Sequence, residues 1–142
     1  MELLRFDDKM LTEIFNDSQV RIKQDSHHSL LMVGWMGRQS KDSVMKGCMK
    51  ILESMVEYKC FDILNDNRHV IGDWSDASEW VGSVWFPLMQ DAGLHKFAWV
   101  KGHLDIPKAS IDKTLSFSPP NVLTVRIFAH YNNAMNWLLE GD

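Results

Sequence analysis

The sequence predicts an α/β domain with a single-layer, mixed and largely parallel sheet and crossover helices, in the order β-β-β-α-β-α-β-α-β-α. Three observations predict it. Leu30-Leu31-Met32-Val33-Gly34-Trp35 is a nearly continuous apolar run, the pattern of a strand buried on both faces. Ser40 to Tyr58 carries Val44, Cys48, Ile51, Leu52 and Met55 at helical spacing. From there on, strand-like and helix-like segments alternate, which calls for crossover connections and parallel strands.

The elements follow in chain order. Residues 10–15 and 18–24 read as two short strands joined by the turn residues Asn16-Asp17-Ser18, an antiparallel hairpin at the sheet edge. Gln19-Val20-Arg21-Ile22-Lys23 alternates polar and apolar residues, as on a half-buried strand. Ser40 is a good N-cap for the first helix, and Gly47 inside it marks close packing. Phe61 to Asp66 is the next strand. A second helix starts near Ser75 or Asp76, with Asp76 and Glu79 at capping-box spacing. Ala77, Trp80, Val81, Val84, Trp85 and Leu88 share one face, and Pro87 should kink the helix or end its regular part. Lys96 to Val100 is a strand. Asp105-Ile106-Pro107 opens a short helix reaching about Leu115, and Pro119-Pro120 breaks the chain. Val122 to Phe128 is the last strand. Asn132 or Asn133 begins a final helix carrying Ala134, Trp137 and Leu138.

Composition sets the broad class. The 142 residues suit one domain over 1–142, and 45% hydrophobic with 24% charged residues is a globular mix. Six tryptophans and seven phenylalanines will dominate the core or a contact surface. A net charge of −4, with Lys and Arg scattered, argues against a nucleic-acid partner. Cys48 and Cys60 sit in apolar contexts and read as buried free thiols. No signal peptide and no integral membrane segment is evident, so a cytoplasmic protein is expected.

The most polar stretch is Asn65-Asp66-Asn67-Arg68-His69, followed by Gly72-Asp73-Trp74-Ser75-Asp76. It reads as a loop from a strand's carboxyl end to a helix start, where open α/β sheets bind ligands. Asp66, Asn67, Arg68, His69, Asp73, Trp74 and Ser75 are therefore the candidate binding residues. The same residue types also supply ordinary turns and N-caps. No metal, nucleotide or triad motif occurs, so no cofactor, no metal and no catalytic residue is expected. His27 and His28, if on a strand, would point to opposite faces. Trp80, Trp85 and Phe86 are a second candidate set, lining an apolar groove or partner surface, with core packing as the plainer alternative. Trp74, in polar surroundings, is the tryptophan best placed to be exposed.

The pattern from Trp35 onward resembles the SpoIIAA-like group of STAS/SEC14-like α/β domains. The matching pieces are Gly34-Trp35-Met36-Gly37, Leu64-Asn65-Asp66-Asn67-Arg68, Gly72-Asp73-Trp74 with Glu79-Trp80, Trp85-Phe86-Pro87, Ala92 to Ala98, and Ala134 to Leu138. The resemblance implies a compact domain used for protein contacts or apolar ligands. In the anti-sigma antagonists of that family a helix-start serine after a strand ending in Asp is a phosphorylation switch, and Ser75 is the positional match. Here Trp74 precedes it, Asp76 follows it and the family's glycine is missing. Asp73 and Asp76 would repel a phosphate, so N-capping is the expected role of Ser75. The function that follows is a non-catalytic binding or regulatory module, with a protein partner or a second copy of itself in a homodimer. The alternatives are a carrier of a small apolar or lipid-like ligand and, third, an enzyme using the Asp66–Asp76 stretch.

Overall fold

The computed structural model describes residues 11–101, 105–118 and 125–140. Six strands form one sheet in strictly sequential order: β1 (Leu11–Asn16), β2 (Val20–Asp25), β3 (Leu30–Arg38), β4 (Asp62–Ile71), β5 (Lys96–Val100) and β6 (Val125–Phe128). The β1–β2 and β2–β3 pairs are antiparallel, and β3 to β6 run parallel. The α/β class and the mixed, mostly parallel sheet are as the sequence predicts. Residues 119–124, with the Pro119-Pro120 break and the start of the last expected strand, lie outside the described residues.

Sequential order decides where the helices go. Each parallel connection steps one strand in the same direction, so right-handed crossovers place their helices on one face. Helix α1 (Lys41–Tyr58) joins β3 to β4, and α4 (Asp105–Phe117) joins β5 to β6. Between β4 and β5 lies a composite helix: a 3₁₀ turn (Ser75–Ala77), α2 (Ser78–Trp80), a π turn (Val81–Trp85) and α3 (Phe86–Asp91). The larger core lies under this layer and contains Ile22, Val33, Ile51, Met55, Phe86 and Phe97. Helix α5 (Tyr131–Leu139) follows the last strand and folds onto the opposite face, where Ala134, Met135 and Leu138 meet Leu30, Leu64 and Val100.

Local chemistry explains the boundaries. Asp17 accepts from the backbone N–H of Gln19 and Val20 and closes the first hairpin. His27 and His28 belong to the β2–β3 turn, not to a strand. The fully buried Asp25 carboxylate accepts from both of their backbone N–H groups and contacts His28 Nδ1 at 2.8 Å. Ser40 caps α1 in a reciprocal box with Ser43. Val44, Cys48, Ile51 and Met55 are buried on the sheet, and Leu52 packs half-buried beside them. The Lys96 ammonium, 7% exposed, donates to the carbonyls of Trp137 and Glu140 and ties down the end of α5.

Three local expectations are corrected. The Asp76/Glu79 capping box is absent; Trp74 holds the N-cap position without a side-chain bond, because an indole has no acceptor to offer, while Asp73 accepts from the Ser75 N–H at 2.7 Å. Ser75 is therefore the capped residue and not the cap. Pro87 is absorbed without a helix break, since the π turn ends at Trp85 and Pro87 falls in the first turn of α3, where its missing N–H removes little. Helix α5 begins at Tyr131, earlier than Asn132.

Two glycines set helix–sheet and helix–helix distances. A Cβ on Gly47 would collide with the Trp35 indole, and one on Gly82 would collide with the Thr114 carbonyl. Gly47→Ala should therefore destabilise the fold by about 1–3 kcal/mol, the range for overpacked cores, despite alanine's better helix propensity. Urea unfolding checks this; an unchanged or raised midpoint would show that the Trp35–α1 contact is not tight.

Candidate functional site

The carboxyl ends of the parallel strands form the site. There β4 does not stop at Asp66. It continues to Ile71 because β3 is long enough to pair with it through Arg38↔Ile71. Asp66, Asn67, Arg68 and His69 are thus strand residues, and the expected loop shrinks to the bend at Gly72 and Asp73. The register runs Gly34↔Asp66 and then Met36↔His69, which sets two steps on β3 against three on β4. This bulge re-aims side chains. Asn65 and Asn67 are placed under the helical layer, whereas Asp66 and His69 line a groove on the α5 side.

Beneath the helical layer lies a cavity of about 30 Å³. Its walls include four of the six tryptophans: Trp35 at the end of β3, Trp99 in β5, Trp74 before the composite helix and Trp85 in the π turn. All four are nine-tenths or more buried. Asn65 and Asn67 of β4, also buried, supply most of the polar wall. The structure therefore brings together Asn67 and Trp74 from one expected set with Trp85 from the other. It corrects the idea that Trp74 is exposed: polar neighbours surround it in sequence, but its ring stacks on Trp99 with centroids 6.0 Å apart.

Hydrogen bonds orient the polar wall. The Trp35 indole donates from Nε1 to Asn65 Oδ1 at 2.8 Å. An indole N–H is a donor only, so Asn65 must turn its oxygen to Trp35 and its Nδ2 elsewhere. That Nδ2 donates to Asn67 Oδ1 at 3.4 Å, which leaves Asn67 with its own Nδ2 donor to offer. The Trp85 N–H is used on the Cys48 carbonyl at 2.7 Å. Among the described residues nothing accepts from Nε1 of Trp74 or of Trp99. Burial pushes the Cys48 thiol well above its ordinary pKa, so it stays a neutral, poorly nucleophilic wall group.

The remaining expected residues fall elsewhere. Arg68 makes a bidentate pair with Asp66, Nε to Oδ1 at 2.9 Å and Nη2 to Oδ2 at 2.8 Å, and lies over the Tyr131 ring. The pairing holds the guanidinium pKa above its usual value. Arg68 thus fastens α5 to β4, and its charge is already committed inside the fold. His69 is exposed on the α5 side, in a groove of about 240 Å³ shared with Met32, Met36, Lys23 and Tyr131. Phe86 is fully buried in the core and Trp80 is half-buried, so neither forms an open apolar groove. Asp73 accepts from Ser75 N–H and from the buried Ser110 hydroxyl at 2.9 Å, which ties α4 to the bend beside Trp74.

Trp35, Asn65 and Trp99 were not singled out as site residues by sequence. The signal that marks them is an Asn-x-Asn strand flanked by two strands that each carry a tryptophan in their carboxyl-terminal half. Among the described residues no group of three His, Cys, Asp or Glu could hold a metal ion, and no helix is long and apolar enough to cross a membrane. No family model, no curated protein and no solved structure matches the chain.

The Asp73 bonds, led by the one from Ser75 N–H, hold its carboxyl below the usual aspartate range. The native state thus binds this proton more weakly than the unfolded chain. The stabilisation is complete above the unfolded value of about 3.9 and is lost as pH falls through the lowered native value. Asp73→Ala should be about 1 kcal/mol less stable than wild type at pH 7, the usual size of a lost cap. The gap should close in acid. Urea titrations at both pH values test this, and a gap that widens in acid would contradict it.

Proposed function

We propose that this chain is a non-catalytic binding module that takes a small ligand in the tryptophan–asparagine cavity at the carboxyl edge of its parallel strands. One observation carries the reading: four indoles and two oriented carboxamides from β3, β4, β5 and the start and π turn of the composite helix converge on one cavity, with two of the indole donors lacking a partner among the described residues. A structure that only needed to fill this space could do so with aliphatic side chains and leave no buried donor unmet. Among the described residues the wall supplies shape and hydrogen bonds, and its titratable member, the Cys48 thiol, is held neutral by burial. The resemblance to SpoIIAA-like STAS domains supports the same reading, because it implies a domain used for binding.

Occupancy should be visible in intrinsic fluorescence, since most of the chain's tryptophans line the cavity. A ligand at one hundred times its Kd should also stabilise the fold by about 2.7 kcal/mol. Screening compact neutral compounds by emission and melting temperature tests the proposal. Failure of every compound in a chemically varied set to move either signal would overturn it.

A second reading, contact with a protein partner or with a second copy of the chain, is favoured by a separate observation. Met49 and Val56 of α1, with Val84 and Leu88 of the composite helix, are each about 40–50% exposed on the helical layer. On this reading sedimentation shows a concentration-dependent mass above 16.4 kDa, and the pair Val56→Glu and Leu88→Glu abolishes it. A mass of one chain at all concentrations excludes the homodimer.

A further inference from the structure

We propose that the groove on the α5 side of the sheet is a second binding site, separate from the tryptophan–asparagine cavity, and that it takes a small planar organic anion such as an aromatic carboxylate. The strand registers lay out its floor at the carboxyl ends of β3 and β4, the edge where open α/β sheets bind ligands. Gly34 of β3 lies at the centre, between Arg21 of β2 and Asp66 of β4. On the same face of β3 stand Met32, beside Lys23, and Met36, beside His69. Helix α5 packs on β4, β5 and β6, and its first residue, Tyr131, forms the wall on that side. Two features keep the groove hollow. Gly34 carries no side chain, and a Cβ placed there would meet nothing within 4 Å. The bulge that sets Gly34 and Met36 against Asp66 and His69 breaks the regular alternation beside it.

The charges on this face decide the class of ligand. Asp66 gives both carboxylate oxygens to Arg68. Arg21 is taken by Glu13 at 3.1 Å; Glu13 stands across from Lys23 in the β1–β2 pairing, but its bond goes to Arg21. Asp25, the next residue on this face of β2, is fully enclosed and spends its oxygens on the β2–β3 turn. Lys23 is thus half-buried without an acidic partner among the described residues. Its flexible stem lets the ammonium follow a ligand's carboxylate, and partial burial strengthens that attraction over its value in open water. A cation would find no carboxylate left to receive it. The apolar half of the ligand is met by Met32 and Met36, four residues apart and so roughly 13 Å apart along β3, with bare glycine backbone between them. Thioethers make favourable contacts with aromatic rings. An enclosed space of roughly 150 Å³ already takes benzene, so about 240 Å³ accepts a ring with its charged substituent.

Benzoate, benzamide and benzamidinium are planar, near-isosteric and differ in charge, so they are the probes. The readout is the methyl spectrum of the full chain labelled with carbon-13 at its methionine methyls, with Met32 and Met36 assigned through Met→Leu variants. Benzoate should displace both signals saturably, while Met55 and Met89, fully buried in the main core, stay in place and report an intact fold. Benzamide should bind more weakly and benzamidinium not at all. Lys23→Gln should weaken benzoate by about fivefold, the upper end for an ion pair partly open to water, and leave benzamide unchanged. Gly34→Val fills the floor in open space; it should abolish the benzoate response without lowering the melting temperature. If that variant unfolds, the charge series on wild type and Lys23→Gln still decides. A response to benzamide or benzamidinium equal to that of benzoate overturns the proposal. So does a benzoate response that survives Gly34→Val or is undiminished in Lys23→Gln, and so does the failure of benzoate to move Met32 and Met36. None of the described tryptophans lines the groove, so failure here is read separately from failure at the tryptophan–asparagine cavity.

Discussion

Three consecutive polar side chains, Asn65, Asp66 and Asn67, are carried by β4 into the middle of the sheet, and each must find a partner inside the protein. A buried amide or carboxylate without one costs more than a single packing contact returns. Asn65 is met by the Trp35 indole, Asn67 by Asn65, and Asp66 by the Arg68 guanidinium. These bonds place much else. The Trp35 ring, held in position by Asn65, dictates glycine at position 47 and thereby the closeness of α1. Arg68, held by Asp66, lies over the Tyr131 ring with its guanidinium carbon 4.8 Å from the centroid and so helps position the start of α5. One polar strand thus sets the spacing of a helix on each face.

The bulge in β4 makes this arrangement compatible with a single strand. Without the extra residue, strict alternation would send Asp66, Arg68 and Val70 to one face. With it, Val70 returns to the main core while His69 stays on the α5 side. The polar run is divided between the carboxamides of the cavity wall on one face of the sheet and an ion pair on the other. The π turn does comparable work in the helical layer: it ends at Trp85, just before Pro87, and directs that ring onto the Cys48 carbonyl. Both irregularities border the cavity, which agrees with the general tendency of bulges and π turns to mark functional places.

The elements that were legible in the sequence are those governed by local periodicity. Val44 to Met55 repeat at helical spacing and do pack on the sheet, and the strand–helix alternation after β3 produced parallel pairing as expected. What was not legible depended on partners distant in sequence. Asn67 to His69 look like a loop after the expected strand end at Asp66, yet pairing with β3 keeps the strand going to Ile71. Trp74 has polar neighbours in sequence and an aromatic neighbour, Trp99, in space. Ser75 looked like a cap, but Asp73, two residues earlier, reaches its N–H first. Asn67, Trp74 and Trp85 were visible in two unrelated candidate sets; that they line one cavity is a property of the sheet order.

The sequential strand order has a kinetic side. Every strand pairs with its immediate predecessor in the chain, so although each parallel pair must close over a whole crossover, a slow kind of pairing, no strand waits for a partner later in the sequence. The chain can therefore assemble its sheet in the order of synthesis, with each crossover helix sealing the main face as it arrives. The far face has no such cover until the last element. Before α5 docks, Leu30, Leu64, Ala98 and Val100 form an open apolar strip, and the Lys96 ammonium waits for the carbonyls of Trp137 and Glu140. A sheet without α5 would expose that strip, the kind of surface that invites aggregation, and docking of the nine residues Tyr131–Leu139 closes it.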